Sequence, residues 1–305
     1  MAKSYRYLHL DVFSDRLFGG NQLAVFLDGR GLATNAMQAI ANEMNFSETT
    51  FVLPAERADT DVRMRIFTPS TELPIAGHPT IGSTFALARA SVIAPDRDQF
   101  VFGLGVGPVP VELAWRNDEL SFAWMTQPLP TFSAPFRDTA CAAAALGIPE
   151  SAVADSGLPM EVVSCGVPFL IVPIATRNAV DSATLNIAAY GELMRALPAT
   201  ASGLFFFSHE RGNDKATAYS RMFAPEVGVL EDPATGIASG PLGCYLVRHN
   251  MVPATAARSI LSLQGVKMGR PSEVHVSIGV EGGDIRSVRV GGTSVLAGEG
   301  TLYIS

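Results

Sequence analysis

Glu48 stands in the run Asn45-Phe-Ser-Glu-Thr-Thr-Phe51, with Ser47 before it and two phenylalanines close by. A carboxyl group partly desolvated by apolar neighbours can work as a general base near neutral pH, although a loop glutamate can equally be a solvated surface charge. Asp232 meets the same test ahead of Pro233 and Gly236; a carboxylate in that setting also caps turns. His78 is the one histidine of five beside a glycine at a proposed helix start, where it can donate to a bound carboxylate or cap the helix. His9 and His275 fall in strand patterns, and His209 and His249 in polar surroundings, so these four read as structural or exposed. Cys141, Cys165 and Cys244 lack any CxxC or Cys/His ligand spacing, which argues against a disulfide framework or a zinc site and for structural thiols.

These residues need elements to hold them. Leu8 to Phe13 and Leu23 to Leu27 read as strands joined by a turn through Gly19, Gly20 and Asn21. Thr34 is a plausible N-cap for a helix carrying Met37, Ile40, Ala41 and Met44, which stops at Asn45. Ser47 and Glu48 then fall in the short connection before a strand at Thr49 to Leu53. The alternation of Val62, Met64 and Ile66 with Arg63, Arg65 and Phe67 marks a strand with one buried face. After a loop from Thr68 to Gly77, Pro79 starts a helix expected to present Ile81, Phe85 and Ala88 on one face.

Arg65-Ile-Phe-Thr-Pro69 is echoed by Arg221-Met-Phe-Ala-Pro225, each an apolar strand ending at a proline and followed by a loop, a glycine and a helix. Setting Gly77 against Gly236 brings Gly82 onto Pro241 and Leu87 onto Leu246, with a three-residue difference in loop length. Gly20-Asn-Gln-Leu-Ala-Val25 matches Gly166-Val-Pro-Phe-Leu-Ile171 more weakly. An ancient duplication explains both. Each half then brings a helix start, whose exposed N–H groups and positive dipole end bind carboxylates, toward a shared cleft; the plainer alternative is that both glycines only permit tight turns. Three prolines without periodicity between Thr126 and Phe136 suggest the linker. The expected lobes are residues 1–125, completed by the last strand at about 290–305, and residues 126–289.

A chain of 305 residues, 48% of them hydrophobic, can bury a large core and divide into two domains. Its 29 acidic residues exceed its 22 scattered basic ones, so no footprint for a nucleic-acid backbone exists. No segment approaches the roughly 20 apolar residues that span a bilayer, and the first residues do not read as a secretory signal. No membrane association and a cytoplasmic location are expected.

Taken in order, Asp11-Val-Phe13, Gly20-Asn-Gln-Leu-Ala-Val-Phe26, the Glu48 segment, Arg65-Ile-Phe-Thr-Pro69, Glu72-Leu-Pro-Ile-Ala-Gly-His-Pro-Thr80 and Glu231-Asp-Pro-Ala-Thr-Gly236 resemble the signatures of the PhzF family of phenazine biosynthesis. Gln264-Gly265 with Met268-Gly-Arg-Pro-Ser272 resembles its C-terminal signature. The resemblance implies an α+β fold of the diaminopimelate epimerase type: two pseudo-symmetric lobes, each a β-barrel-like sheet around a central helix, with the active site in the cleft between them. It implies a homodimer, a small amino or carboxylic acid as substrate, and no cofactor or metal. It also implies that Glu48 shuttles a proton with His78 and Asp232 as catalytic partners, while Asn21, Ser47, Gly77, Thr235 and Gly236 bind substrate.

Related amino-acid epimerases carry a thiol just before each duplicated glycine, where this chain has Ala76 and Thr235. Two-thiol racemisation is therefore not expected. A single carboxyl can instead move a proton between two carbons on one face of a conjugated system, the isomerisation for which 2,3-dihydro-3-hydroxyanthranilate is the family's reference substrate. Ile237 departs from the small hydroxyl residue frequent after the Asp-Pro-Ala-Thr-Gly turn, which bears on the substrate rather than the fold. Two other readings stay open: a non-catalytic acid-binding protein on the same fold, and an epimerase using Glu48 and Asp232.

Overall fold

The computed structural model describes residues 3–304, in two compact units, Met1–Thr126 with Gly291–Ser305, and Gln127–Val290. In chain order the first unit carries β1 (Lys3–Val12), β2 (Asn21–Phe26), α1 (Thr34–Met44), β3 (Glu48–Pro54), β4 (Val62–Phe67), β5 (Glu72–Leu73), α2 (His78–Arg89), β6 (Gln99–Leu104), β7 (Gly107–Arg116) and β8 (Glu119–Gln127). The second carries β9 (Thr131–Phe132), α3 (Thr139–Leu146), α4 (Glu150–Ala154), β10 (Glu161–Ser164), β11 (Pro168–Pro173), α5 (Arg177–Ser182), α6 (Ile187–Ala196), β12 (Leu204–Ser208), β13 (Ala218–Phe223), α7 (Gly236–Arg248), β14 (Ile260–Gln264), β15 (Ser272–Glu281) and β16 (Asp284–Gly292). The last strand, β17 (Ser294–Ile304), pairs with β1 of the first unit. Among the described residues no helix is long and apolar enough to cross a membrane.

The two units share one plan, as the internal echo leads one to expect. In the first, β1–β2 is antiparallel, β2–β3 parallel, β3–β4 antiparallel, β4–β6 parallel and β6–β7 antiparallel. In the second, the pairs β10–β11, β11–β12, β12–β13, β13–β14 and β14–β15 repeat that alternation. Each sheet wraps a central helix. α2 packs on β1, β2, β3 and β17, and α7 on β10, β11 and β15. A second layer covers the outer face: Met37, Ile40 and Ala41 of α1 lie on Phe26, Phe51 and Phe67, and α3 with α6 lies on Phe206 and Phe223. The rings of Phe51 and Phe67 are 5.7 Å apart, and those of their counterparts Phe206 and Phe223 are 5.0 Å apart.

Several local expectations need correction. Thr34 is the first helical residue of α1 rather than its cap, because its hydroxyl accepts a hydrogen bond from Arg65 Nη1 at 3.0 Å. The helix does end at Asn45, in the left-handed region at φ 51°, with its N–H on Ala41 O. The tight reversal means that Glu48 already begins β3 instead of lying in a loop. Burial of α2 is not confined to one face: Thr80, Ser83, Thr84 and Leu87 are as buried as Ile81, while Phe85 and Ala88 are only partly so. A helix inside a curled sheet has no solvent face for periodicity to reveal. Much of the proline-rich stretch is also structured, since β9 pairs with β10 and Phe136 bridges to Met160.

Candidate active site

Three of the sequence-derived residues begin three separate elements of the first unit. Asn21 opens β2, Glu48 opens the neighbouring parallel strand β3, where it pairs with Leu23, and His78 opens α2. Gly20 makes the entry to β2 possible. Its φ is +64°, and a Cβ there would lie 2.3 Å from Val12 O, so only glycine lets the chain turn there and deliver Asn21. Pro79 fixes φ in the first turn of α2, where the missing N–H costs no helical bond. Thr50 Oγ1 and Ser83 Oγ meet at 2.9 Å, a buried link that ties β3 to α2 two residues beyond Glu48.

The three side chains converge on His78. Asn21 Nδ2 lies 3.1 Å from His78 Nδ1, and Glu48 Oε2 lies 2.9 Å from the same nitrogen. Asn21 is fully buried and His78 is 3% exposed, whereas the Glu48 side chain keeps 14% of its surface. The Asn21 contact has hydrogen-bonding geometry. The Glu48 contact is an ion-pair distance without that alignment, and Oε2 has no hydrogen-bond partner among the described residues. Oε2 is itself buried beside the imidazole, so a proton from elsewhere reaches this carboxyl through its other oxygen. Ser47 and Gly77 flank this cluster as the residues preceding Glu48 and His78, Ser47 half-buried and Gly77 buried.

A second polar cluster occupies the start of α7 in the other unit. Thr235 Oγ1 donates to Asp232 Oδ2 at 2.6 Å. Gln264 spans the turn: its Oε1 accepts from Thr235 N at 2.9 Å, and its Nε2 donates to Asp232 O at 2.7 Å and to Thr235 Oγ1 at 3.0 Å. Asp232 N donates to Met222 O, and Gln127 Nε2 donates to Gly236 O at 3.1 Å. Asp232, Thr235 and Gln264 are at most 5% exposed. Because Thr235 spends its hydroxyl on Asp232, it gives α7 no side-chain cap. In the sequence Gln264 stands out only as part of the C-terminal motif and not as a site residue. Its following Gly265, at φ +74° with a hypothetical Cβ 2.5 Å from Pro233 O, was the signal that backbone passes close by.

Strand register shows what each unit contributes. Arg65-Ile-Phe67 corresponds to Arg221-Met-Phe223, and because Thr50 pairs with Ile66 as Phe205 pairs with Met222, Glu48 corresponds to Gly203. The parallel pairs extend it: Ala24 lies opposite Thr49, as Leu170 lies opposite Leu204, so Asn21 corresponds to Val167. His78, next to Gly77, corresponds to Ile237, next to Gly236. The second unit thus carries Gly203, Val167 and Ile237 where the first carries Glu48, Asn21 and His78. A side chain at Gly203 would be crowded, since its Cβ would lie 3.1 Å from Phe223 O and 3.3 Å from Phe169 Cε1. Ala76 and Thr235 hold the places before the paired glycines.

Among the described residues no group of three or more His, Cys, Asp or Glu is placed to hold a metal ion. The far-separated Cys165 and Cys244 do meet, with Sγ atoms 3.8 Å apart in the second unit's interior. The facing Cys165 thiol, and after it burial, push the Cys244 thiol pKa up, so it stays protonated and unreactive. His249 is likewise engaged, 3.0 Å from the buried Glu161 carboxylate.

A family model described as phenazine biosynthesis-like protein matches residues 10–300. The chain is 36% identical over 302 residues to an uncharacterised isomerase of Mesorhizobium japonicum, covering 98% of each. It is 35% identical over 300 residues to trans-2,3-dihydro-3-hydroxyanthranilate isomerase of Pseudomonas aeruginosa, covering 98% of this chain and all of that one. A solved phenazine biosynthesis protein of the PhzF family from Bacillus anthracis superposes with a TM-score of 0.86 at 26% identity, covering 98% of this chain and 99% of the other.

Proposed function

This chain belongs to the phenazine biosynthesis-like protein family and is an isomerase, and we propose that it relocates a proton on a small cyclic or unsaturated amino or carboxylic acid with Glu48 as its one acid/base. The observation that supports this reading is the one-sidedness of the duplicated fold: the carboxyl, imidazole and amide stand in the first unit, and glycine, isoleucine and valine stand at the matching places of the second.

In the first step the Glu48 carboxylate takes a proton from a substrate carbon. One C–H bond breaks, an O–H bond forms, and the electron pair enters the conjugated system. In the second step Glu48 returns the proton to another carbon on the same face as the double bond migrates. The net change needs no oxidant, reductant or second base. His78 Nδ1 lies 2.9 Å from Oε2 and limits where the carboxyl can sit, and Asn21 Nδ2, 3.1 Å from the same nitrogen, fixes the imidazole ring. The Asp232–Thr235–Gln264 turn serves to hold substrate, and a glycine-led helix start offers backbone N–H groups to an acid group.

An epimerase would need a second acid/base on the opposite face. Asp232 is the candidate for that role, but its Oδ2 accepts the Thr235 hydroxyl and its peptide group is tied to Met222 and Gln264, which suits an anchor better than a base. The test is incubation with 2,3-dihydro-3-hydroxyanthranilate in deuterated water, followed by proton NMR. Migration of the double bond supports the reading; exchange of a single substrate proton without migration supports epimerisation instead. If that acid is inert, the same assay on a panel of small unsaturated carboxylic acids decides between another substrate and no isomerisation.

A further inference from the structure

The second unit lacks the acid/base residues of the first but keeps another device. Arg65 Nε and Nη2 donate to Glu72 Oε1 and Oε2 at 2.7 and 2.6 Å. Arg221 Nε and Nη2 donate to Glu231 Oε1 and Oε2 at 2.7 and 2.9 Å. The guanidinium groups lie 5.1 Å from the Phe67 ring centre and 5.2 Å from that of its counterpart Phe223. Each glutamate stands five residues before the glycine that leads a central helix, although the loops between each arginine and its glutamate differ in length by three residues. Each arginine also reaches an outer helix: Arg65 Nη1 donates to Thr34 Oγ1 at the start of α1, and Arg221 Nη1 to Val180 O of α5 at 2.8 Å.

We propose that Arg65–Glu72 and Arg221–Glu231 are two positioning pairs that set the loop-to-helix turns, the first placing His78 and with it Glu48 for proton transfer, the second placing the Asp232–Thr235 turn for holding substrate. This rests on the isomerase reading above. A bidentate arginine–carboxylate pair fixes plane and distance together, which neither an unconstrained loop nor a lysine can do. Loops of unequal length around an unchanged pair indicate that the pair, not the loop, determines where the helix begins. The Arg65 side chain keeps 15% of its surface and that of Arg221 6%, so solvent screening of the guanidinium groups is limited.

The variants are Arg65→Lys, Glu72→Gln, Arg221→Lys and Glu231→Gln, with kcat, KM and Tm measured alongside the NMR titration of the His78 ring in the free protein. A misplacement on the order of 1 Å costs about a hundredfold in rate, so the first two variants should lower kcat by about tenfold to a hundredfold with KM within about twofold. They should also move the His78 titration. The second pair should raise KM by about tenfold, with kcat within about twofold and the His78 titration unmoved. The lysine variants keep the charge and so remain informative if a glutamine variant does not fold. The His78 titration needs no turnover, so an inert wild type would sink the isomerase reading while the titration still tested the first pair. Lower Tm with unchanged kcat, KM and His78 titration in all four folded variants would overturn the proposal, as would identical kinetic changes from both pairs.

Discussion

Gln264 carries more of the second cluster than its place in the sequence suggests, because one amide satisfies a backbone N–H, a backbone carbonyl and a hydroxyl of the Asp232–Thr235 turn. Gln264→Leu keeps approximate volume and strands those groups inside the protein. It should cost about 1–3 kcal/mol for each group left without a partner, read as a fall in the urea midpoint, and should raise KM more than it lowers kcat. An unchanged midpoint would mean that water or a neighbour replaces the amide. Residue types made Glu48, His78 and Asp232 candidates, each with a plainer structural reading beside it, and the family resemblance supplied their expected roles. A glutamine at the end of a strand carries no such mark, and its role arises only when β14 brings it beside a turn distant in sequence.

At the scale of elements, the fold depends on how closely its central helices approach their sheets. A Cβ on Gly82 would lie 2.6 Å from both Val12 Cγ2 and Leu23 Cδ2, and Gly243 of α7 meets Val276 in the same way. Gly82→Ala should therefore destabilise by about 1–3 kcal/mol through overpacking. Gly191, inside α6 with open space where its Cβ would be, supplies the opposite case: Gly191→Ala should stabilise by about 0.5–1 kcal/mol. Thermal melts of the two variants check both signs.

The Arg65–Glu72 pair gives a pH signature at the same scale. The Arg65 hydrogen bonds hold the Glu72 carboxyl below its ordinary range despite partial burial. A group depressed in the folded state contributes stability that is present above its unfolded pKa and is lost as pH falls through the folded one. Wild-type Tm should accordingly decline through the acidic carboxylate range more steeply than that of Glu72→Gln, and parallel curves would contradict this. The strands of this unit were legible from alternation and β-branched residues. The all-round burial of α2 was not, because wrapping by a sheet erases the amphipathic pattern from which a helix is usually read.

For the whole molecule, the chain returns to its first unit only at its last strand. β17 pairs with β1 from Lys3 to Val12, with one register shift between His9 and Leu10, and β1 has β2 on its other side. Deleting residues 294–304 would convert β1 into a long unpaired edge and uncover α2, so the shortened protein should aggregate or lose its cooperative melt. A monodisperse, folded product would refute that expectation. The formal net charge of −7 at pH 7 adds no affinity for nucleic acid, so no salt-dependent DNA retention is expected. The duplication was legible because its two strongest echoes, the Arg-x-Phe-x-Pro strand ends and the helix-leading glycines, hold the sheet register and the central helix. What remained hidden was its asymmetry. Glu48 matches Gly203 through the pairing of β3 with β4 and β12 with β13, and no alignment of short apolar strings specifies that register.

In the proposed reaction one carboxyl, Glu48, carries the proton. The most direct measurement compares wild type and Glu48→Gln by proton NMR in deuterated water on an acid that wild type converts, beginning with 2,3-dihydro-3-hydroxyanthranilate. Double-bond migration by wild type and a loss of rate of about 10²–10⁴-fold or more in Glu48→Gln are expected, with the Tm of the variant within a few degrees of wild type. Conversion by Glu48→Gln at the wild-type rate would contradict that role for Glu48.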